Sequence, residues 1–316
     1  MIMKTQQPKG MIVLGFTEVF ERLSYYTLSF LLVLYASAPI ANGGLGWSKE
    51  DALMLAGKYT LAAFTFPLIG GVIADKFLGA FRASILGALL IIAGHCLMLF
   101  SSHENLVIFY GALFLVASGT AFFKPSMPTL LGLLYSPTDI RREGGFNLYY
   151  MCINIGAMIA GFSSGLLLQH FGYQVAFASA GLGMVLGLFV FILNKKHLIL
   201  LPKEKKKTNL SESIAVLHLT KAHKKAISYL LLSFVFYAVW AIVYNIVNSG
   251  TLTVYTENYT YKTILGYDIP TTFFNSLESI GIVIFAPLVA FILTHYARKG
   301  KAIHFFSQMY FAVFLA

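Results

Sequence analysis

Glu18, Glu21 and Arg22 place three ionisable side chains within five residues of a run, 11–37, that is otherwise apolar enough to cross a bilayer. At about 100° per residue, these three share a helix face with Tyr25 and Ser29. Leu14, Leu28, Leu32 and Val33 remain free to meet lipid or to pack elsewhere. An ionised group at membrane depth costs roughly 2.5–3.5 kcal/mol on insertion scales. Such a cluster therefore needs a water-filled cavity or partners on other helices. Two readings follow. One is a polar translocation site with titratable carboxylates. The other is an internal ion pair, Glu18 with Arg22 at i,i+4, that only locks helices together; a single pair of this kind leaves Glu21 without a partner.

The elements that must carry these groups are visible in the composition. The chain has 316 residues, of which 58% are hydrophobic and only 11% charged, and its mean hydropathy is +0.74. So few charges in a chain this long imply an all-α, polytopic membrane protein. Apolar runs of spanning length recur at 11–37, 51–74, 83–101, 105–135, 146–169, 173–194, 226–248 and 270–294, and another begins near Ala302. The net charge of +10 does not point to nucleic acid, because the basic residues collect in alternate connections. Lys4 and Lys9, Lys76 and Arg82, Arg141 and Arg142, the lysines of 195–225, and Arg298 to Lys301 form one set. Little beyond Lys49 and Lys262 falls in the other. By the positive-inside rule the N-terminus and the 195–225 connection are cytoplasmic, in a cell (inner or plasma) membrane. That connection divides a six-helix bundle, 1–194, from a second group of helices, 226–316, and 211–225 reads as an amphipathic surface helix. The first apolar run is too long for a cleavable signal and lacks a small-residue cleavage site. Cys96 and Cys152 fall in apolar runs, so neither a disulfide nor a metal framework is expected, and no cofactor is implied.

Further motifs surround the first helix. Gly70-Gly71 with Asp75, Lys76, Gly79 and Arg82 links spans two and three. It resembles the loop motif of the major facilitator superfamily, in which an Asp and basic residues latch neighbouring helices. Asp75 can meet Arg82 or a helix N-terminus, and Gly79 permits the turn. Pro67, Pro125, Pro128 and Pro287 lie within spans and bend or locally break them. Phe122-Phe123-Lys124-Pro125 sits in span four, and Asp139-Ile140-Arg141-Arg142 leads to Tyr149, Tyr150 and Asn154 in span five.

Together with Glu18–Tyr26, these stretches resemble the proton-dependent oligopeptide transporter (POT) family. The likeness is strongest over 11–194 and looser over 226–301. It implies a major facilitator fold, incomplete here in its C-terminal bundle because the family has twelve or more spans. It implies proton-coupled symport of di- and tripeptides or peptide-like compounds by alternating access, with small peptides and protons as partners within a lipid bilayer. Glu18, Glu21, Arg22 and Lys124 would couple protons. Arg22, Tyr25, Tyr26, Lys124 and Asn154 would bind substrate. Asp75, Gly79 and Arg82 would form the conformational latch.

The chemistry also stands without the family. An ammonium at Lys124 can partner a deprotonated Glu18 or Glu21, and protonation of that acid frees the cation for a substrate carboxylate. Tyrosines and an asparagine can satisfy a peptide amide. The plainer alternatives are snorkelling for Lys124 and interhelical hydrogen bonding for Tyr25, Tyr26 and Asn154. The chain departs from the family at Ser29, where an arginine is common, and at Phe64, where a tyrosine is common. The seventh run, with Trp240 and Tyr244, has no carboxylate. Glu278 stands where the eighth helix usually has an asparagine; it is expected to offer a carboxylate to substrate amine or proton, or else to be a protonated, hydrogen-bonded acid. Alternatives for the whole are a transporter of another small solute, such as an amino acid or drug, or a truncated fragment that does not transport. No HExxH helix or phosphate-cradling loop is present, so an enzyme is not expected.

Overall fold

Alternation of apolar runs with short polar connections resolves into long helices in a computed structural model. It describes residues 6–136, 139, 141–198, 224–225, 227–229, 231–233, 250–264, 266–285 and 288. Helix α1 spans Lys9–Ser37 and α2 Lys49–Ile73. The latter runs into a π-helical turn, Ala74–Leu78, that stops at Gly79 with φ +73°. Helices α3, Ala80–Met98, and α4, Leu106–Leu133, follow. Helix α5, Arg142–Leu193, has 52 residues, roughly 78 Å at 1.5 Å per residue. That is far more than one crossing of a hydrocarbon core about 30 Å thick. Gly172, with φ +81°, breaks it, so 142–171 and 173–193 are two crossings, as the sequence predicts. A short α6, Lys195–Leu198, closes the first bundle.

Among the described residues, four helices are long and apolar enough to cross a membrane: Lys49–Leu78, Ala80–Met98, Leu106–Leu133 and Gly144–Leu193. The charges of α1 set it apart from this group, although its length of 29 residues suffices. Large apolar side chains such as Leu61, Leu68, Phe114, Leu182 and Phe189 are exposed on the outer faces, as lipid contact requires. The protein is a membrane protein.

Helix α1 is the axis of the bundle. It packs chiefly on α5, while α3 packs on α4 and α2 on α4. Leu14, Leu28, Leu32 and Val33 are all buried, so their packing is against protein. Two apolar clusters form along α1. One gathers Leu28–Ala36 with Phe109, Tyr173 and Phe177; the other gathers Met11–Leu14 with Phe123, Met127, Met184 and Phe191. Between them lies a buried polar layer: Thr17, Glu18, Glu21, Arg22, Ser24 and Thr27. Gly156 lets α5 approach this layer, since a Cβ there would stand 2.7 Å from the Cβ of Arg22.

The described prolines do not break their helices. Helix α2 continues through Pro67, and α4 through Pro125 and Pro128. Hydroxyls supply local bonds, with Ser126 Oγ donating to Phe122 O at 2.7 Å and Thr129 Oγ1 to Pro125 O at 3.0 Å.

Beyond the first bundle, α7 spans Leu252–Tyr259 and α8 Thr271–Asn275, with helix continuing after one turn residue to Phe285. Between them lies a hairpin of β1, Thr263–Ile264, and β2, Tyr267–Asp268, with Thr263 opposite Asp268. These strands are not expected from the sequence; Gly266, at φ +82°, supplies the turn. The expected division at 195–225, the helix over 211–225, Pro287, the Arg298–Lys301 stretch, Trp240, Tyr244 and the run from Ala302 lie largely or wholly outside the described residues.

Candidate functional site

The polar layer of α1 opens sideways onto a cavity of about 220 Å³ between the first bundle and α8. Its wall includes Arg22, Tyr25 and Tyr26 from α1, Tyr59 and Phe64 from α2, Lys124 from α4, Asn154 from α5, and Glu278 beyond α8. All six residues expected to bind substrate thus share one cavity. Helical spacing brings them there: Arg22, Tyr25 and Tyr26 lie within one turn, and Asn154 follows Tyr150 by one turn. Asn154 Nδ2 donates to Tyr150 O at 2.9 Å, which leaves its amide oxygen available.

Glu18 and Glu21 sit behind Arg22 and outside the cavity lining. Arg22 Nε lies 3.1 Å from Glu18 Oε1 and donates to Glu21 Oε2 at 2.5 Å, while Arg22 Nη2 also pairs with Glu21. Tyr149 Oη donates to Glu18 Oε2 at 2.5 Å. One guanidinium therefore holds both acids. The expectation that an i,i+4 pair would leave Glu21 alone is corrected, because a planar fork reaches neighbours at i−1 and i−4 together. The other oxygen, Glu21 Oε1, is buried with no hydrogen-bond partner among the described residues. A buried acceptor without a donor is costly.

Lys124 does not snorkel. Its ammonium lies 3.8 Å from the centroid of the Phe64 ring, and among the described residues it has no carboxylate within 4.0 Å. The direct pairing of Lys124 with Glu18 or Glu21 is thus not formed in this structure. Arg22, on the acids' own helix, competes for them at no cost in bringing elements together.

The residues expected to form a latch lie apart, where α2 gives way to α3. Gly79 makes the turn, as its positive φ requires. Asp75 and Arg82 are both exposed, and no ion pair joins them. A second loop is tied instead. Asp139 accepts from Arg141 Nη2 at 2.7 Å and from the Arg141 backbone N–H at 2.9 Å. These bonds hold its carboxyl down to about 2. Arg141 Nη1 also reaches Gln6 O at 2.8 Å, fastening the residues before α1 to this loop.

The sequence motifs give no role to Tyr149, named only as part of the span-five stretch, and do not point to Tyr59 or to the contact of Ser24 Oγ with His95 Nε2 at 2.6 Å. A signal for Tyr149 existed, since it lies seven residues before Gly156 and so shares the face turned to α1.

Comparison with known proteins gives this arrangement its relatives. Residues 81–222 match the model of the POT family. An uncharacterised transporter, YclF, from Bacillus subtilis is 35% identical over 189 residues, covering 60% of this chain and 38% of that protein. The peptide transporter YePEPT from Yersinia enterocolitica is 37% identical over 175 residues, covering 55% of this chain and 34% of that one. The alignments thus span between a third and two fifths of these curated relatives. A crystal structure of a peptide transporter POT in complex with sulfate superposes with a TM-score of 0.74 at 28% identity, over 94% of this chain and 70% of that one. The described helices accordingly take the fold of that transporter, of the major facilitator type. Family model, relatives and fold thus agree in what the chain resembles: members of the POT family.

Proposed function

We propose that the protein is a proton-coupled symporter of di- and tripeptides or peptide-like compounds, working by alternating access from the cell membrane with its N-terminus in the cytoplasm. The observation that carries this reading is the single cavity that sets two cations, Arg22 and Lys124, together with the carboxylate Glu278, two tyrosines and Asn154. A zwitterion with an amide between its ends needs such a set: cations for the carboxylate, an acid for the amine, and donors and acceptors for the amide.

Coupling follows from what Arg22 already holds. While Glu18 and Glu21 are ionised, the guanidinium is bound to both. A proton added to either acid weakens that hold and lets Arg22 turn toward a substrate carboxylate beside Lys124. Proton and peptide then stabilise the same state, which is the thermodynamic content of symport. Asp75, Gly79 and Arg82 would act as a latch that closes when the two bundles, 1–194 and 226–316, rock about the site.

Uptake of a labelled dipeptide by reconstituted protein, with and without an acid-outside gradient, tests the reading. Concentrative uptake that needs the gradient, and that unlabelled tripeptide competes away, supports it. Uptake competed by single amino acids or drugs but not by peptides would assign the cavity to another solute.

A further inference from the structure

We infer that Phe64 is a positioning residue that presents Lys124 to the carboxylate end of the substrate; the inference rests on the peptide-transport reading above. The ammonium of Lys124 has two places to go. One is the ion-paired cluster behind Arg22, where Glu21 Oε1 has no hydrogen-bond partner among the described residues. The other is the cavity.

The face of the Phe64 ring, 3.8 Å from the ammonium, holds it in the cavity. A ring face attracts a cation through its quadrupole, most strongly where water is scarce, yet it neutralises no charge. An ammonium held this way keeps its full positive charge for a ligand. A carboxylate partner would cancel that charge, and the hydroxyl of a tyrosine would offer it a competing acceptor. Phe64 is 53% exposed and lines the same wall as Lys124, Tyr59 and Thr60, so the ring faces open space rather than packed core. Arg22 is committed to Glu18 and Glu21 until a proton arrives, so Lys124 is the cation that meets a substrate carboxylate first.

The chemistry predicts selectivity for a free carboxylate that depends on the ring. Binding of a dipeptide and of the same dipeptide with its C-terminus amidated is measured on purified protein for wild type, Phe64→Leu and Phe64→Trp. Loss of the ring releases Lys124 toward Glu21. Phe64→Leu should therefore weaken binding of the free acid by about 3- to 10-fold, the scale of one cation–π contact, with the amide unchanged. Phe64→Trp keeps a ring and should retain the wild-type preference. Equal weakening of acid and amide in Phe64→Leu, or loss of the preference in Phe64→Trp as well, would overturn the positioning role while leaving peptide binding intact. Absence of any dipeptide binding by wild type would overturn the transport reading and this inference with it.

Discussion

Replacing Tyr149 by phenylalanine isolates the contact that buries Glu18. The hydroxyl donates to Glu18 Oε2 at 2.5 Å, and both residues are about 5% exposed or less. A hydrogen bond to a charged group contributes about 1.5–3 kcal/mol in soluble proteins. Double-mutant cycles between membrane helices average about 0.6 and reach about 1.7 kcal/mol, because the unfolded state in the membrane also finds partners. Charge, short distance and burial place this pair at the upper end, near 1.5 kcal/mol. Tyr149→Phe should therefore destabilise wild type by about that amount and do little in a Glu18→Ala background. Tyr35 and Ser101, neutral hydroxyls 3.1 Å apart, make the control cycle, with an expected coupling near 0.6 kcal/mol. Reversible unfolding in mixed micelles reads both cycles. A Glu18–Tyr149 coupling no larger than the Tyr35–Ser101 coupling would refute the view that Glu18 sits there as a buried, hydrogen-bonded carboxylate.

Further outcomes follow from other parts of the molecule. Thr272 Oγ1 donates to Gly161 O at 2.6 Å and Ser276 Oγ to Met158 O at 3.1 Å, and a Cβ at Gly161 would stand 2.7 Å from Thr272 O. Gly161→Val should force α8 from α5 at an overpacking cost of about 1–3 kcal/mol, seen as faster labelling of a Ser276→Cys reporter, which is otherwise buried. The carboxyl of Asp139 is held near 2 in the folded protein, below its ordinary value of 3.8. Its pairing with Arg141 therefore contributes above the ordinary value and is lost only as pH falls toward 2. Asp139→Asn should leave the pH profile of uptake between about 5 and 8 unchanged. Gly79, at φ +73° and ψ 148°, occupies backbone space that is nearly glycine-only, so Gly79→Ala should cost about 1–3 kcal/mol in thermal stability.

The first bundle was legible because a membrane allows few solutions. Backbone groups without water must pair within a helix, so runs such as 83–101 and 105–135 could hardly be anything else. The polar face of α1 was legible for the same reason, since charges there demand an interior. Glu278 was singled out as an acid inside an apolar run, and it lines the cavity with Arg22 and Lys124. Which partner each charge takes was not legible. Spacing puts Arg22 within reach of Glu18 and Glu21, but only the packing of α2 against α4 and of α1 against α5 decides that Lys124 meets Phe64 and Tyr149 meets Glu18. The hairpin at Thr263–Asp268 is too short to show alternation, and its polar residues read as an ordinary connection. Asp75 with Arg82 illustrates a different limit. A latch that opens and closes has two structures, and one sequence motif does not say which is seen.

Proton movement on peptide addition tests the central claim most directly. Reconstituted protein with a pH-sensitive dye in the lumen is presented with a dipeptide from outside at equal pH on both sides. Lumen acidification that scales with peptide entry, and that disappears when Glu18→Gln and Glu21→Gln are combined, is the expected result. Peptide entry without acidification, or acidification undiminished in that double variant, would contradict the assignment of proton coupling to the acids held by Arg22.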